Sequence, residues 1–443
     1  MASKYSIILK TIMHKRIMMW LTCVIGCFST HNGIPYSQAV QRFMHAASEY
    51  SHEGVWMKGL SLYQTMPKNT FPVFTQRDIL DMAIHDIGPP SARLPACFRI
   101  PSLVRINETT LVAFAEARSP TCADCSTTGI VYKRSTDAGM SWSQIKYVVP
   151  PTDIGANPTT VYDQTTERLY LYYVRGISKD PITNQSGCVK GRSNHYIVSD
   201  DAGLTWSNSV DMSAMMGSFA GALPGPGNAV QLRSGRLIIP FHYGTAERSW
   251  GRDLVVWSDD GHQYHVSDTP IANMDEATVA AIPSSPTHDT LVMWMRNAHN
   301  NQTCACKARS VSTDEGRTWS RAYYEPQLLD PICQGSATVF NHTLFYVGPR
   351  FKYARSRLTL WHKPATLYND STQWSIINIT DASVYADYST VTNGLMQNLG
   401  NQHSAHIGIL WGGCVLPYPF RVWCMRYWQI AYTRVEWPMQ HDG

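Results

Sequence analysis

The sequence predicts an all-β protein, and three observations predict it. The pattern S-x-D-x-G-x-x-W occurs as STDAGMSW (Ser135 to Trp142), SDDAGLTW (Ser199 to Trp206) and STDEGRTW (Ser312 to Trp319), with a shortened version, SDDGHQY, at Ser258. Short runs rich in β-branched and aromatic residues, bounded by Gly, Pro and Asn, fill the intervals: RLYLYYV, RLIIPFHY, DLVVWS, DTLVMWM, SRLTLWH and HIGILWG. Long helical periodicity is absent beyond about residue 85.

The pattern returns roughly every 55 to 65 residues, the length of one four-stranded sheet with its loops. A β-propeller accounts for the repeat, the strand density and the length together, its sheets packed around a shared axis. Each residue of the repeated corner has a structural reason. Ser and Asp side chains bond backbone amides inside a tight turn, Gly supplies a positive φ, and Trp plugs the gap between neighbouring sheets. Asp137, Asp201 and Asp314 are therefore assigned to the turn rather than to chemistry.

With 443 residues, 44% of them hydrophobic, the chain can bury one large core or two ordinary ones. The formal charge of +4 is scattered among acids without basic runs, so nothing points to nucleic acid. Lys4, Lys10, Lys15 and Arg16 precede the apolar run IMMWLTCVIGCF at residues 17–28. Roughly a dozen apolar residues is too short for a bilayer span and suits a signal peptide over residues 1–29, with a buried helix as the alternative. No later segment is long and apolar enough to cross a membrane, so the mature chain reads as a soluble product of the secretory pathway. Residues 30–70 form a poorly specified N-terminal extension with a short helix near SQAVQRFMHAASEY. The packed domain is expected over 71–437, beginning around VFTQRDILDM, with a tail at 438–443.

The cysteines fit that compartment. Of 11, Cys23 and Cys27 fall in the signal; the nine others are an odd number, so disulfides are expected with at least one thiol left free, and the pairing is open. The N-x-S/T sequons at Asn107, Asn184, Asn301, Asn341, Asn369 and Asn378 are glycosylation candidates. CADC has C-x-x-C spacing, but a loop-closing disulfide is favoured over a redox or zinc site, and the CAC pair near His299 gives no better metal set.

Propellers place functional side chains at strand ends around one mouth of the central channel. Arg99 starts RIPSLV, Arg118 ends VAFAEAR, Arg296 ends LVMWMR and Arg355 precedes RLTLW. Singly, each reads more readily as an ordinary surface arginine. Together, FRIP, AFAEAR and the repeated corners resemble the sialidase (neuraminidase) superfamily, whose fold is a six-bladed β-propeller with the corner motif known as the Asp-box. GPGNAVQLRSGRLIIP, MRNAHNNQTCACKARS, LLDP and RSRLTLWHKP follow the order and spacing of the lysosomal-type animal sialidase over roughly residues 71 to 437.

The resemblance implies an exo-α-sialidase that hydrolyses terminal α-linked sialic acid from glycoproteins, oligosaccharides or glycolipids with retention, using neither metal nor cofactor. It puts Arg99, Arg296 and Arg355 on the substrate carboxylate, Arg118 beside the acid as a further substrate-binding residue on the C4 side, Asp124 as general acid and base, Tyr388 as nucleophile and Glu276 as its activating base. Planar guanidinium groups suit a carboxylate, since they pair it through parallel bonds that lysine does not reproduce. A neutral phenol avoids the repulsion that the substrate's own carboxylate would impose on an anionic nucleophile. Tyr385 and Asp275 stand beside the chosen residues as alternatives, and a solvated loop acid is the alternative for Asp124. Protonating a leaving oxygen calls for a carboxyl raised by a partly dry site.

The family's glutamate in a stretch like LYE, which orients the first arginine, corresponds here to LWGGC, with Gly412 in its place. Arg99 is thus expected to lack its usual anchor, leaving two alternatives: another acid in its place, or weaker carboxylate binding and turnover. A sialic acid-binding propeller without turnover and a trans-sialidase are the rival readings. Sialylated glycans are the expected substrates, with a protective carboxypeptidase as a family-implied partner. Lysosomes are the implied compartment; extracellular and membrane-associated locations are the alternatives.

Overall fold

The computed structural model describes residues 67–437, except 86, 89–92, 125, 153, 177–190, 246–247, 298–303, 382–383, 400–401 and 415–428; all lie within one unit, Met66–Gly443. The expected signal peptide, most of the extension, the tail, Cys125, Cys188, Cys424, His299, Asn184 and Asn301 lie outside the described residues.

Strand β1 (Thr70–Phe74) leads into helix α1 (Gln76–Ile84). Thr75 starts the helix with a capping box: its hydroxyl accepts from Arg77 N, and the Asp78 carboxylate accepts from Thr75 N. Groups of antiparallel strands follow. The first is β2 (Cys97–Arg105), β3 (Leu111–Ser119), β4 (Thr127–Ser135) and β5 (Lys146–Val149). The second is β6 (Ile154–Asp163), β7 (Arg168–Gly176), β8 (Ser193–Ser199) and β9 (Val210–Asp211).

Two short strands, β10 (Leu223–Pro224) and β11 (Gly227–Asn228), precede the third group of β12 (Val230–Gln231), β13 (Leu237–Thr245), β14 (Arg248–Ser258) and β15 (His265–Val266). The fourth holds β16 (Ile271–Pro283), β17 (Asp289–Asn297), β18 (Cys306–Ser312) and β19 (Tyr323–Leu329). The fifth holds β20 (Ser336–Phe340), β21 (Thr343–Pro349), β22 (Leu358–Pro364) and β23 (Ser375–Asn378). The last comprises β24 (Tyr385–Leu399), β25 (Gln402–Cys414) and β26 (Gln429–Trp437), and β1 completes it by pairing with β26, Thr70 opposite Thr433. Among the described residues, hydrogen bonding joins these runs into sheets of four, nine, nine and four strands, with β4 also pairing β6 and β14 pairing β16.

An apolar layer joins each group to the next. Phe114 meets Leu169 and Leu171; Tyr172 and Tyr196 meet Phe241; Ile238 and Val255 meet Leu291. Trp294 then meets Leu344 and Trp361, Phe345 and Leu360 meet Ile409, and Leu410 and Tyr432 return to Leu103 and Ala113 of the first group. Strand β3 explains why these runs look apolar throughout. Leu111, Ala113 and Ala115 face one neighbour while Val112 and Phe114 face the other, so a period-two strand is buried on both sides.

The repeat corners fold alike. Ser135 donates to Asp137 at 2.7 Å and accepts from Gly139 N at 2.8 Å, and Asp137 accepts from Ser141 N at 2.9 Å. Ser199 with Asp201, Ser258 with Asp260 and Ser312 with Asp314 repeat the bonds. Hydrogen bonds from Thr205 hold the Asp201 carboxyl down at about 2. Each corner packs on the preceding group. A Cβ on Gly139 (φ +88°) would lie 2.1 Å from the Tyr432 ring of β26, on Gly203 3.3 Å from Val112 of β3, and on Gly316 3.0 Å from Ile238 of β13. Trp142 meets Tyr432 edge-on at 5.7 Å, and Trp206 meets Phe114 at 5.7 Å, which is the plugging role expected of the tryptophans.

Gly139→Ala is therefore expected to cost about 3 kcal/mol, the sum of left-handed backbone strain and overpacking against Tyr432. A urea titration would show it as a lower midpoint at unchanged m-value. A midpoint equal to that of the parent would contradict the packing described.

Candidate active site

Irregularities in three strands build the site. In β2 the register shifts between Arg99 and Ser102, with Ile100 at φ +53°. In β16 it shifts between Asp275 and Ala277, with Glu276 at φ +22°, and in β24 between Ala386 and Ser389. On a regular strand adjacent side chains point to opposite faces; a bulge relaxes that rule and re-aims one of them. Hence Asp275 and Glu276 both reach Arg296, and Asp387 and Tyr388 both enter the same cluster.

Tyr388 sits at the centre, buried with Ile100 and Cys333. Its hydroxyl donates to Glu276 Oε1, while Arg296 Nη1 donates to Glu276 Oε2 at 2.6 Å and to the phenol oxygen at 3.3 Å. The guanidinium carbons of Arg99 and Arg355 lie 5.8 Å and 5.6 Å from its ring centroid. The structure thus gathers Arg99, Arg296, Arg355, Tyr388 and Glu276, whose sequence positions span nearly three hundred residues. The phenol that bonds Glu276 is Tyr388 rather than Tyr385, and Asp275 pairs instead with Arg296 at 3.5 Å and with His242 at 3.6 Å.

The electrostatics separate the pair. Burial would raise Glu276, but Arg296, His242 and the Tyr388 hydrogen bond outweigh it and hold the carboxyl below its usual range. Burial and the neighbouring Glu276 charge push the Tyr388 phenol well above its ordinary value, against the pull of Arg296 and Arg355. The arrangement is a neutral phenol hydrogen-bonded to an ionised carboxylate.

Arg118 is buried and bonds Glu116 through Nε at 2.7 Å, the Cys122 carbonyl at 3.0 Å and Asp124 at 2.6 Å. Glu116, inside AFAEAR but given no role there, also accepts from Asn157 N at 2.8 Å. Asp124 lies at the rim with its side chain 78% exposed, and accepts from Arg99 at 3.0 Å as well. The dry, raised carboxyl expected at this position is not what the structure holds. Burial would raise it, but Arg118 and Arg99 prevail and keep it below the usual carboxylate range.

Two points that the sequence leaves open are filled in by the structure. Cys122 is joined to Cys97, a loop-closing disulfide as expected of CADC, with the partner now given; Cys304 and Cys306 are joined to each other, and Cys333 is a buried free thiol. The register explains the first: Cys97 pairs with Arg118 across β2 and β3, which brings Cys122 to the start of β2. Arg99 also has an anchor despite Gly412, because the buried Asp387 accepts from Arg99 at 3.0 Å and from Arg355 at 2.7 Å. Asp387 lies in ADYSTV beside the chosen tyrosine, but regular alternation would have turned it away. Of the sequons described, Asn107, Asn369 and Asn378 are exposed and Asn341 is half-buried.

A family model for the BNR repeat-like domain matches residues 109–394, well over half of the chain. Human Sialidase-3 is 30% identical over 272 residues, covering 55% of this chain and 61% of that protein, so the chain spans about three fifths of the curated relative's length. Among solved structures, the Hadza microbial sialidase Hz136 covers 77% of this chain and 66% of its own at TM-score 0.62 and 20% identity. The intramolecular trans-sialidase from Ruminococcus gnavus covers 76% and 94% at TM-score 0.58 and 16% identity. These two likenesses concern the fold. The chain belongs to the BNR repeat-like family.

Proposed function

We propose that the chain is an exo-α-sialidase built on a six-bladed β-propeller over residues 71–437, retaining configuration through a tyrosine nucleophile. One observation carries the reading. A phenol, hydrogen-bonded to an ionised glutamate, is surrounded by three arginines from three different strand groups. The toroid rests on the apolar layers that run from group to group and return from the last to the first, and the corners serve as Asp-boxes.

Arg99, Arg296 and Arg355 take the sialic acid carboxylate, each charge-assisted bond contributing roughly 1.5–3 kcal/mol. With the anomeric carbon held beside Tyr388, the phenol oxygen attacks it and the phenol proton passes to Glu276. The bond from that carbon to the leaving oxygen breaks, and the oxygen takes a proton from Asp124. Water then attacks the tyrosyl-linked sugar and gives its proton to Asp124, while the released tyrosine oxygen recovers its own from Glu276. Sialic acid leaves as the α-anomer.

Asp124 begins ionised beside two guanidiniums, so substrate binding must change its environment. A carboxylate arriving on Arg99 shares the positive charge that depresses Asp124 and moves it toward the protonated form. Binding without turnover loses its main support, because Arg99 does have an acidic partner. For location we keep the secretory pathway, lysosomes first, and a protective carboxypeptidase as partner, both on resemblance. Among the described residues no helix is long and apolar enough to cross a membrane.

A fluorogenic sialoside assayed from about pH 4 to pH 7, near the carboxylate and histidine ranges, with and without excess lactose, tests the reading. Free sialic acid as the main product in both is expected. Sialyllactose as the main product would make the chain a transferase, and binding without release of the fluorophore would make it a lectin.

A further inference from the structure

We propose that Asp387 is the positioning residue for the carboxylate-binding arginines, doing from β24 what an acid at position 412 of the facing strand β25 would do. The inference rests on the proposed sialic acid site and adds to it. Asp387 is 1% exposed and lies within the β24 bulge next to Tyr388. Its Oδ2 accepts from Arg99 Nη2 at 3.0 Å and its Oδ1 from Arg355 Nη1 at 2.7 Å, while the Cys333 thiol donates to Oδ1 at 3.2 Å. One carboxylate thereby ties together arginines carried by the first strand group and by the loop before β22.

Those two guanidiniums flank the same tyrosine ring, and like charges so placed repel each other. A buried anion between them offsets that repulsion and fixes the direction of both forks; a neutral side chain could accept one bond but not neutralise the pair. Gly412 lies across from the bulge, between the paired positions Ala386↔Gly413 and Ser389↔Trp411. Among the described residues, a Cβ there would meet only the Tyr388 carbonyl, at 3.8 Å, an ordinary contact. Packing among the described residues therefore does not demand glycine at 412. The anchoring charge enters from the strand opposite, and the position beside it is left small.

The test uses the full chain with Asp387→Asn, Asp387→Ala, Gly412→Glu and the combined Asp387→Asn, Gly412→Glu variant. The readouts are sialoside kinetics and calorimetric binding of 2-deoxy-2,3-didehydro-N-acetylneuraminic acid, a sialic acid analogue that keeps the carboxylate. Asp387→Asn is expected to raise KM and the analogue's Kd about tenfold or more, with a smaller change in kcat, and the further Gly412→Glu substitution to recover most of that loss. If Asp387→Ala proves insoluble, the asparagine variant, which keeps the volume, decides. Unchanged KM and Kd in Asp387→Asn would overturn the inference while leaving the sialidase reading intact. So would a combined variant that folds with the parent's melting temperature but recovers nothing. A parent chain that neither binds the analogue nor cleaves sialosides would remove the underlying reading, and this inference with it.

Discussion

Tyr388→Phe is expected to reduce sialoside cleavage by about 10³-fold or more while changing affinity for a carboxylate-bearing analogue less than threefold. The substitution removes one oxygen and leaves the ring that Arg99 and Arg355 flank. That oxygen forms its bond to carbon only during reaction, so its loss falls on kcat rather than on binding. Glu276 keeps Arg296 at 2.6 Å and stays charged in the variant. The pH profile of the parent should report the same pair. Burial alone would raise Glu276, but Arg296 foremost holds it below the usual glutamate value. As pH falls through that depressed value the carboxylate takes a proton from solvent and can no longer accept one from the phenol. The acid limb of kcat/KM should therefore lie below the ordinary glutamate range. Substantial cleavage by the phenylalanine variant would reject the tyrosine mechanism.

Asp124→Ala should cost about 10²–10⁴-fold in kcat/KM, which reports the step that releases the leaving group, on natural sialosides, whose sugar alkoxide leaves poorly, and under about tenfold in kcat/KM on aryl sialosides with acidic phenols. Only the first class needs a proton delivered to the leaving oxygen. Comparing the two substrates distinguishes proton donation from a general loss of structure, which would slow both alike. The substitution also removes a shared partner of Arg99 and Arg118, at 3.0 Å and 2.6 Å, yet each retains another acid, Asp387 and Glu116. Gross loss of binding is therefore not expected. Equal losses on both substrates would move Asp124 from donor to a purely electrostatic place in the site.

Strand content, the corner motif and the arginines at strand ends were readable because each depends on neighbours a few residues away. Ser135, Asp137 and Gly139 bond one another inside one turn, so spacing alone describes them. The choice of Tyr388 over Tyr385 and of Glu276 over Asp275 came from resemblance. Periodicity could not make it, since a bulge is a property of two strands and not of one. Asp387 was missed for that reason: alternation turns it away from the face Tyr388 occupies. The Cys97–Cys122 link likewise follows from the β2–β3 register, which no cysteine spacing encodes.

The pairing of β1 with β26 governs how the molecule can be made. Thr70 and Thr433 stand opposite each other with their hydroxyls 2.9 Å apart, so a clasp joins segments that leave the ribosome far apart in time. Until β26 emerges, β1 has no partner and the apolar faces of the first and last groups remain uncovered, a long wait that favours chaperone capture during translation.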